Sequence, residues 1–103
     1  MSNDKNSRAG FATRAIHHGY DAYAGHGSLN PPVYLSSTYT FPTVEDGAAR
    51  FAGEQAGFVY SRVGNPTTAL LEARLAELEG GEAALVTASG QGATTSLLWT
   101  LLA

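Results

Sequence analysis

Three places in this sequence combine residue types and spacings that could do chemistry. The first is Ser89-Gly90-Gln91-Gly92, which follows the apolar run Ala83–Ala88 and precedes a helical stretch. Glycines let a backbone turn tightly and approach a ligand closely. The first N–H groups of the next helix have no intrahelical acceptor, and the helix dipole favours an anion there. A phosphate would sit naturally at such a turn. The same residues also suffice for a plain tight turn between strand and helix. The segment matches neither the dinucleotide glycine fingerprint nor the Gly-Lys-Ser/Thr of a P-loop. Nor does Ser89 read as a nucleophile, since it lacks the G-x-S-x-G elbow and has no downstream histidine.

The second place is Tyr60-Ser61-Arg62. An arginine presents a planar, always-charged fork suited to phosphate or carboxylate, and Tyr60 adds a phenolic donor. In an extended segment residues i and i+2 point the same way, so the two would act together. A surface arginine beside a packed tyrosine is the plainer alternative. The third place is His17, His18 and His26. Neither an HExxH pattern nor a cysteine exists to complete a ligand set, so no metal site is expected.

Several elements must position these groups. Phe11–His17 reads as a short helix with Phe11, Ala15 and Ile16 on one face. His18 to Pro32 is irregular, rich in glycine and closed by Pro31-Pro32; Val33 to Phe41 is strand-like or extended. Thr43 caps a helix with Glu45 and Asp46 in its first turn, which Gly47 weakens and which ends near Gly53. The clearest helix opens at Asn65 as N-cap, has Pro66 at its first position and closes at Gly80-Gly81. Leu71, Leu75 and Leu78 form its stripe, widened by Leu70. Ala83–Ala88 reads as a strand buried on both faces. Ala93–Ala103 reads as a helix apolar nearly all round, hence buried, and its lack of a cap at Ala103 leads us to expect a truncation.

Composition narrows the function classes. Six Lys and Arg against nine Asp and Glu give a net charge of −3, the opposite of a nucleic-acid footprint. Cysteine is absent, which excludes disulfides, thiolate catalysis and cysteine-ligated metals. Charged residues make up 15 %, against an average of about 25 %. A chain of 103 residues with 12 glycines and 44 % apolar content buries little by itself, so much of its surface is expected to face a neighbour. No apolar run approaches the ~18 residues of a membrane span. The polar start Met1–Arg8 lacks a signal-peptide core, so the expected location is cytoplasmic. One lysine exists, Lys5, in that polar start.

Five motifs together resemble one family. They are Phe11–Gly19, Pro31-Pro32-Val33-Tyr34, Tyr60-Ser61-Arg62 with Asn65-Pro66-Thr67, Leu78-Glu79-Gly80-Gly81, and Ala88–Ala93. In order and spacing they are similar to the start of the trans-sulfuration, or Cys/Met metabolism, enzymes that depend on pyridoxal 5′-phosphate (PLP). Phe41–Glu45 and Phe51–Gly57 look most like the methionine γ-lyase branch. In that branch the position of Gln91 is often Met, which blurs the branch but not the anchor.

The resemblance implies an α/β fold, namely an N-terminal fragment of the fold-type I PLP enzymes: an extended arm, then the first strand and helices of the PLP domain. Residues 1–10 would be a disordered arm, 11–64 a subunit-clasping segment, and 65–103 the start of the PLP-binding domain. It implies a homo-oligomer, a dimer of dimers, acting on a sulfur-containing amino acid by elimination. Replacement chemistry on an activated homoserine is the alternative, and a truncated, non-catalytic chain is another. By the same resemblance Tyr60 and Arg62 would reach the phosphate of a neighbour's cofactor, and Ser89, Gly90 and Gln91 would hold that of the chain's own. The family's Schiff-base lysine lies further along. Lys5 precedes every element that could position it, so catalysis by these 103 residues alone is not expected.

Overall fold

The structure, a computed structural model, describes residues 9–103. The expected arm at residues 1–10, with Lys5, thus lies outside the described residues except for Ala9 and Gly10. Four α-helices follow in order: α1 (Phe11–His17), α2 (Val44–Phe51), α3 (Pro66–Glu79) and α4 (Gly90–Leu102), with a 3-10 turn at Ala22–Ala24. The chain forms two compact units, Met1–His18 with Leu71–Ala103, and Gly19–Leu70.

In the Gly19–Leu70 unit, α2 starts where its capping chemistry places it. The Thr43 Oγ1 accepts the Asp46 N–H at 3.1 Å and donates to the Asp46 carboxylate at 2.8 Å, which ties down the first turn. Gly47, expected only to weaken α2, is buried. A Cβ there would stand 3.0 Å from the Phe41 ring, so its missing side chain lets that ring lie against the helix. Phe41 meets Phe51 edge-on at 6.1 Å, and the Arg50 guanidinium lies over the Phe41 ring at 5.5 Å. The segment between Val33 and Phe41, expected as strand-like or extended, makes one antiparallel bridge, Thr38 with Tyr60.

In the other unit, α3 closes on a Schellman motif. Gly80 takes φ 65°, Gly81 N–H donates to Ala76 O at 2.8 Å, and Gly80 N–H to Glu77 O at 3.4 Å. Arg14 of α1 donates to the Glu77 carboxylate at 3.3 Å, and Arg74 Nε donates to His18 O at 2.9 Å. Two expectations need correction here. Ala83–Ala88, expected as a strand buried on both faces, pairs with no strand among the described residues, and its Leu85 is 78 % exposed; the Val86 N–H donates instead to the Glu72 carboxylate at 2.9 Å. A strand needs a partner at ladder distance, and a side-chain acceptor takes the place of one. Second, α4 begins at Gly90, not at Ala93, because Ser89 caps it.

No hydrophobic side chain is buried among the described residues. Trp99 is 76 % exposed and Leu102 81 %, so α4, expected to be buried, presents its apolar surface openly. The most enclosed positions are Gly47 and Asn65.

Candidate functional site

At the start of α4 the sequence acts through its backbone. Ser89 is extended, with φ −154° and ψ 155°, and its Oγ accepts the Gly92 N–H at 3.0 Å. Ala93 N–H donates to Ser89 O at 3.1 Å, the first bond of the helix. The N–H groups of Gly90 and Gln91 have no acceptor among the described residues. They lie at the positive end of a 13-residue helix, equivalent to roughly half an elementary charge. A Cβ on Gly90 would meet nothing within 4 Å, so the approach to these donors is open. Behind them, a Cβ on Gly92 would stand 3.2 Å from Ser89 Oγ, a tight approach that the glycine avoids.

At Tyr60–Arg62 the candidate donors are side chains. After the Thr38–Tyr60 bridge the chain turns, with Val63 N–H and Gly64 N–H both donating to Tyr60 O at 2.9 and 3.0 Å. The expected neighbourhood of Tyr60 and Arg62 exists, but a turn makes it and not an extended run. The Arg62 guanidinium carbon stands 5.2 Å from the Tyr60 ring centre, a cation–π contact. Arg62 is exposed, and Tyr60 is 39 % exposed. Both can therefore turn donors outward to an anion.

Sequence reasoning missed the group that holds this turn in place. Asn65, 8 % exposed, was expected only to cap α3. Its Oδ1 does accept the Thr67 N–H at 2.8 Å. Its Nδ2 also donates to Tyr34 O at 3.0 Å, to Ser61 Oγ at 2.9 Å and to the Tyr39 hydroxyl at 3.2 Å. Ser61 in turn donates its hydroxyl to Ser36 O and its N–H to Ser37 O at 2.9 Å. The available signal was an N-cap amide, with two donors to spare, close in sequence to a serine.

The five candidate residues divide between the units: Tyr60 and Arg62 belong to Gly19–Leu70, and Ser89, Gly90 and Gln91 to the other. None of them lines the cavity of about 610 Å³ bounded by Tyr20, Asp21, His26, Tyr34 and Leu70. Among the described residues no cluster of His, Asp or Glu could hold a metal, and no helix is long and apolar enough to cross a membrane.

The family model described as "Cys/Met metabolism PLP-dependent enzyme" matches residues 12–103. The chain belongs to this family. It is 69 % identical to L-methionine gamma-lyase of Pseudomonas putida over 94 % of its length and 24 % of that enzyme. It is 46 % identical to O-acetyl-L-homoserine sulfhydrylase of Corynebacterium glutamicum over 89 % of its length and 21 % of that enzyme. The crystal structure of metB from Corynebacterium glutamicum superposes with a TM-score of 0.77 at 35 % identity, covering 91 % of this chain and 23 % of that one. The fold is thus that of the fold-type I PLP enzymes, and within the family the chain is most like methionine γ-lyases. It spans about a quarter of the length of the curated relatives it matches.

The family's cofactor is PLP, and the donor set here suits its phosphate. Phosphate oxygens at neutral pH mainly accept hydrogen bonds. Gly90 N–H, Gln91 N–H, the Arg62 fork and the Tyr60 hydroxyl can all donate.

Proposed function

We propose that this chain supplies the cofactor-phosphate anchors of a PLP-dependent C–S lyase of the methionine γ-lyase type. The reaction would be elimination from a sulfur amino acid with uptake of water, giving a thiol, an α-keto acid and ammonia. The observation that carries the reading is the pair of N–H groups on Gly90 and Gln91, at the capped start of α4, that have no acceptor among the described residues. The higher identity to the lyase than to the sulfhydrylase, 69 % against 46 %, supports elimination over replacement.

PLP, when bound, supplies the electron sink for bond cleavage at the amino acid's α-carbon. The residues of this chain bind and orient. Gly90 and Gln91 hold phosphate oxygens through the backbone, and Ser89 keeps the helix start open by taking the Gly92 N–H. Arg62 and Tyr60 neutralise and hydrogen-bond the phosphate of a neighbouring protomer's cofactor. Fixing the cofactor at its phosphate end limits the positions its reactive end can take, which is where orientation contributes to rate. Residues 11–64 would then be the clasp between protomers of a homo-oligomer, and 65–103 the start of the PLP-binding domain. Lys5 has no part in this reading, so the covalent attachment of the cofactor is assigned to no residue of these 103.

A chimera tests the reading: this chain replaces the matching stretch of the Pseudomonas putida lyase, and a second chimera is built on the Corynebacterium glutamicum sulfhydrylase. The lyase chimera should retain PLP and release methanethiol from methionine, while the sulfhydrylase chimera loses most of its replacement activity. Failure of the lyase chimera to hold PLP would overturn the anchoring role. Equal function in both hosts would remove the preference for elimination.

A further inference from the structure

We propose that Asn65 is a positioning residue for phosphate binding, setting the Tyr60-Ser61-Arg62 turn through Ser61 while its other end caps α3. The inference rests on the reading that Tyr60 and Arg62 anchor the cofactor phosphate.

The orientation of the Asn65 amide is unambiguous. Thr67 N–H can only donate, so the atom 2.8 Å from it is the oxygen; Tyr34 C=O can only accept, so the atom 3.0 Å from it is the nitrogen. Two N–H bonds on Nδ2 then serve three oxygens, those of Tyr34, Ser61 and Tyr39. The Ser61 hydroxyl gives its proton to Ser36 O and so meets Asn65 with a lone pair. The Tyr39 hydroxyl, 3.4 Å from Ser61 Oγ, can close the ring by donating to it.

This small network joins three stretches that are far apart in sequence: Tyr34–Tyr39, the turn after Tyr60, and the start of α3. Ser61 lies between Tyr60 and Arg62, so holding its side chain and its N–H fixes the backbone from which both anchors project. Polar groups this enclosed are costly to leave unpaired, and a fully satisfied network specifies one arrangement. No apolar side chain is fully buried among the described residues, so hydrogen bonds, with the Phe58 ring against Tyr39, hold the turn's geometry. A residue needed only to cap α3 would have no use for Nδ2. Serine or aspartate would cap equally well.

That equivalence supplies the test, made in the lyase chimera as apoenzyme titrated with PLP and, separately, with pyridoxal, which lacks the phosphate. Asn65→Ser and Asn65→Asp both keep an acceptor for Thr67 N–H and lose the donors of Nδ2. Each should weaken PLP binding by roughly tenfold, the scale of one lost buried hydrogen bond with its partner left unpaired. Pyridoxal affinity should stay near that of the parent even though the apoenzyme melts somewhat lower, because the Tyr34 carbonyl loses its donor. Ser61→Ala should give a smaller loss, and adding it to Asn65→Ser should cost little more, because both break the same link.

A fall in PLP and pyridoxal affinity together would mean a structural role and overturn the proposal. So would a loss seen only with Asn65→Asp, which would report its added charge. Arg62→Ala separates the two layers. If it weakens PLP and both Asn65 variants do not, the positioning role is wrong and the anchor stands; if it leaves PLP binding unchanged, both fall.

Discussion

The two candidate anchors are built in opposite ways. The turn at Ser89–Gln91 is local: one side chain caps, two backbone N–H groups find no acceptor among the described residues, and the capping bonds fall within a few residues. The turn at Tyr60–Arg62 is non-local: its functional groups are side chains, and partners as distant in sequence as Tyr34 and Ser36 help hold its backbone. A backbone anchor tolerates side-chain change but not loss of an N–H. A side-chain anchor depends on its own residues and on the frame beneath them.

The largest effect should come from the side-chain anchor. Hydrogen bonds to charged groups contribute about 1.5–3 kcal/mol, so Arg62→Ala should weaken PLP binding by roughly 10–100-fold, read by titrating the apo chimera. Gly90→Pro comes next. Proline is compatible with the first position of a helix and with the extended conformation of Ser89 before it, but it removes one N–H. A loss near tenfold is expected for that single donor, with far-ultraviolet circular dichroism unchanged; no loss would mean that the Gly90 N–H is not an anchor.

Smaller effects sharpen the contrast. Gly90→Ala keeps the N–H, and its Cβ meets open space, so PLP affinity should change by less than about twofold, even though alanine is favoured over glycine in a helix interior by about 1 kcal/mol. Gln91→Met should be similarly silent. A large effect of Gln91→Met on equilibrium binding would show that the side chain, not the backbone, makes the contact.

The same division decides what could be read from the sequence. Asn65, Pro66 and Gly80-Gly81 bracket α3 because caps are local chemistry, and Thr43 marks α2 for the same reason. The strand expected at Ala83–Ala88 depends on a pairing partner that local sequence does not report, and the Val86 N–H goes to Glu72 instead. Phe41 on Gly47 was hidden likewise: the glycine looked like a weak helix residue until the ring against it was seen. Ser89 was legible as the turn before a helix, though it starts α4 at Gly90 and not at Ala93. Asn65 shows the limit most clearly. Its cap was readable from the next two residues, whereas its three Nδ2 acceptors include Tyr34 and Tyr39, which only folding brings to it.

The most direct measurement is the ratio of PLP to pyridoxal affinity in the apo lyase chimera carrying Arg62→Ala and Gly90→Pro together. The two ligands differ only in the phosphate, so the ratio isolates the anchors. If this chain holds the phosphate, the double variant should bring the ratio down steeply while pyridoxal binding persists. An unchanged ratio would contradict the account.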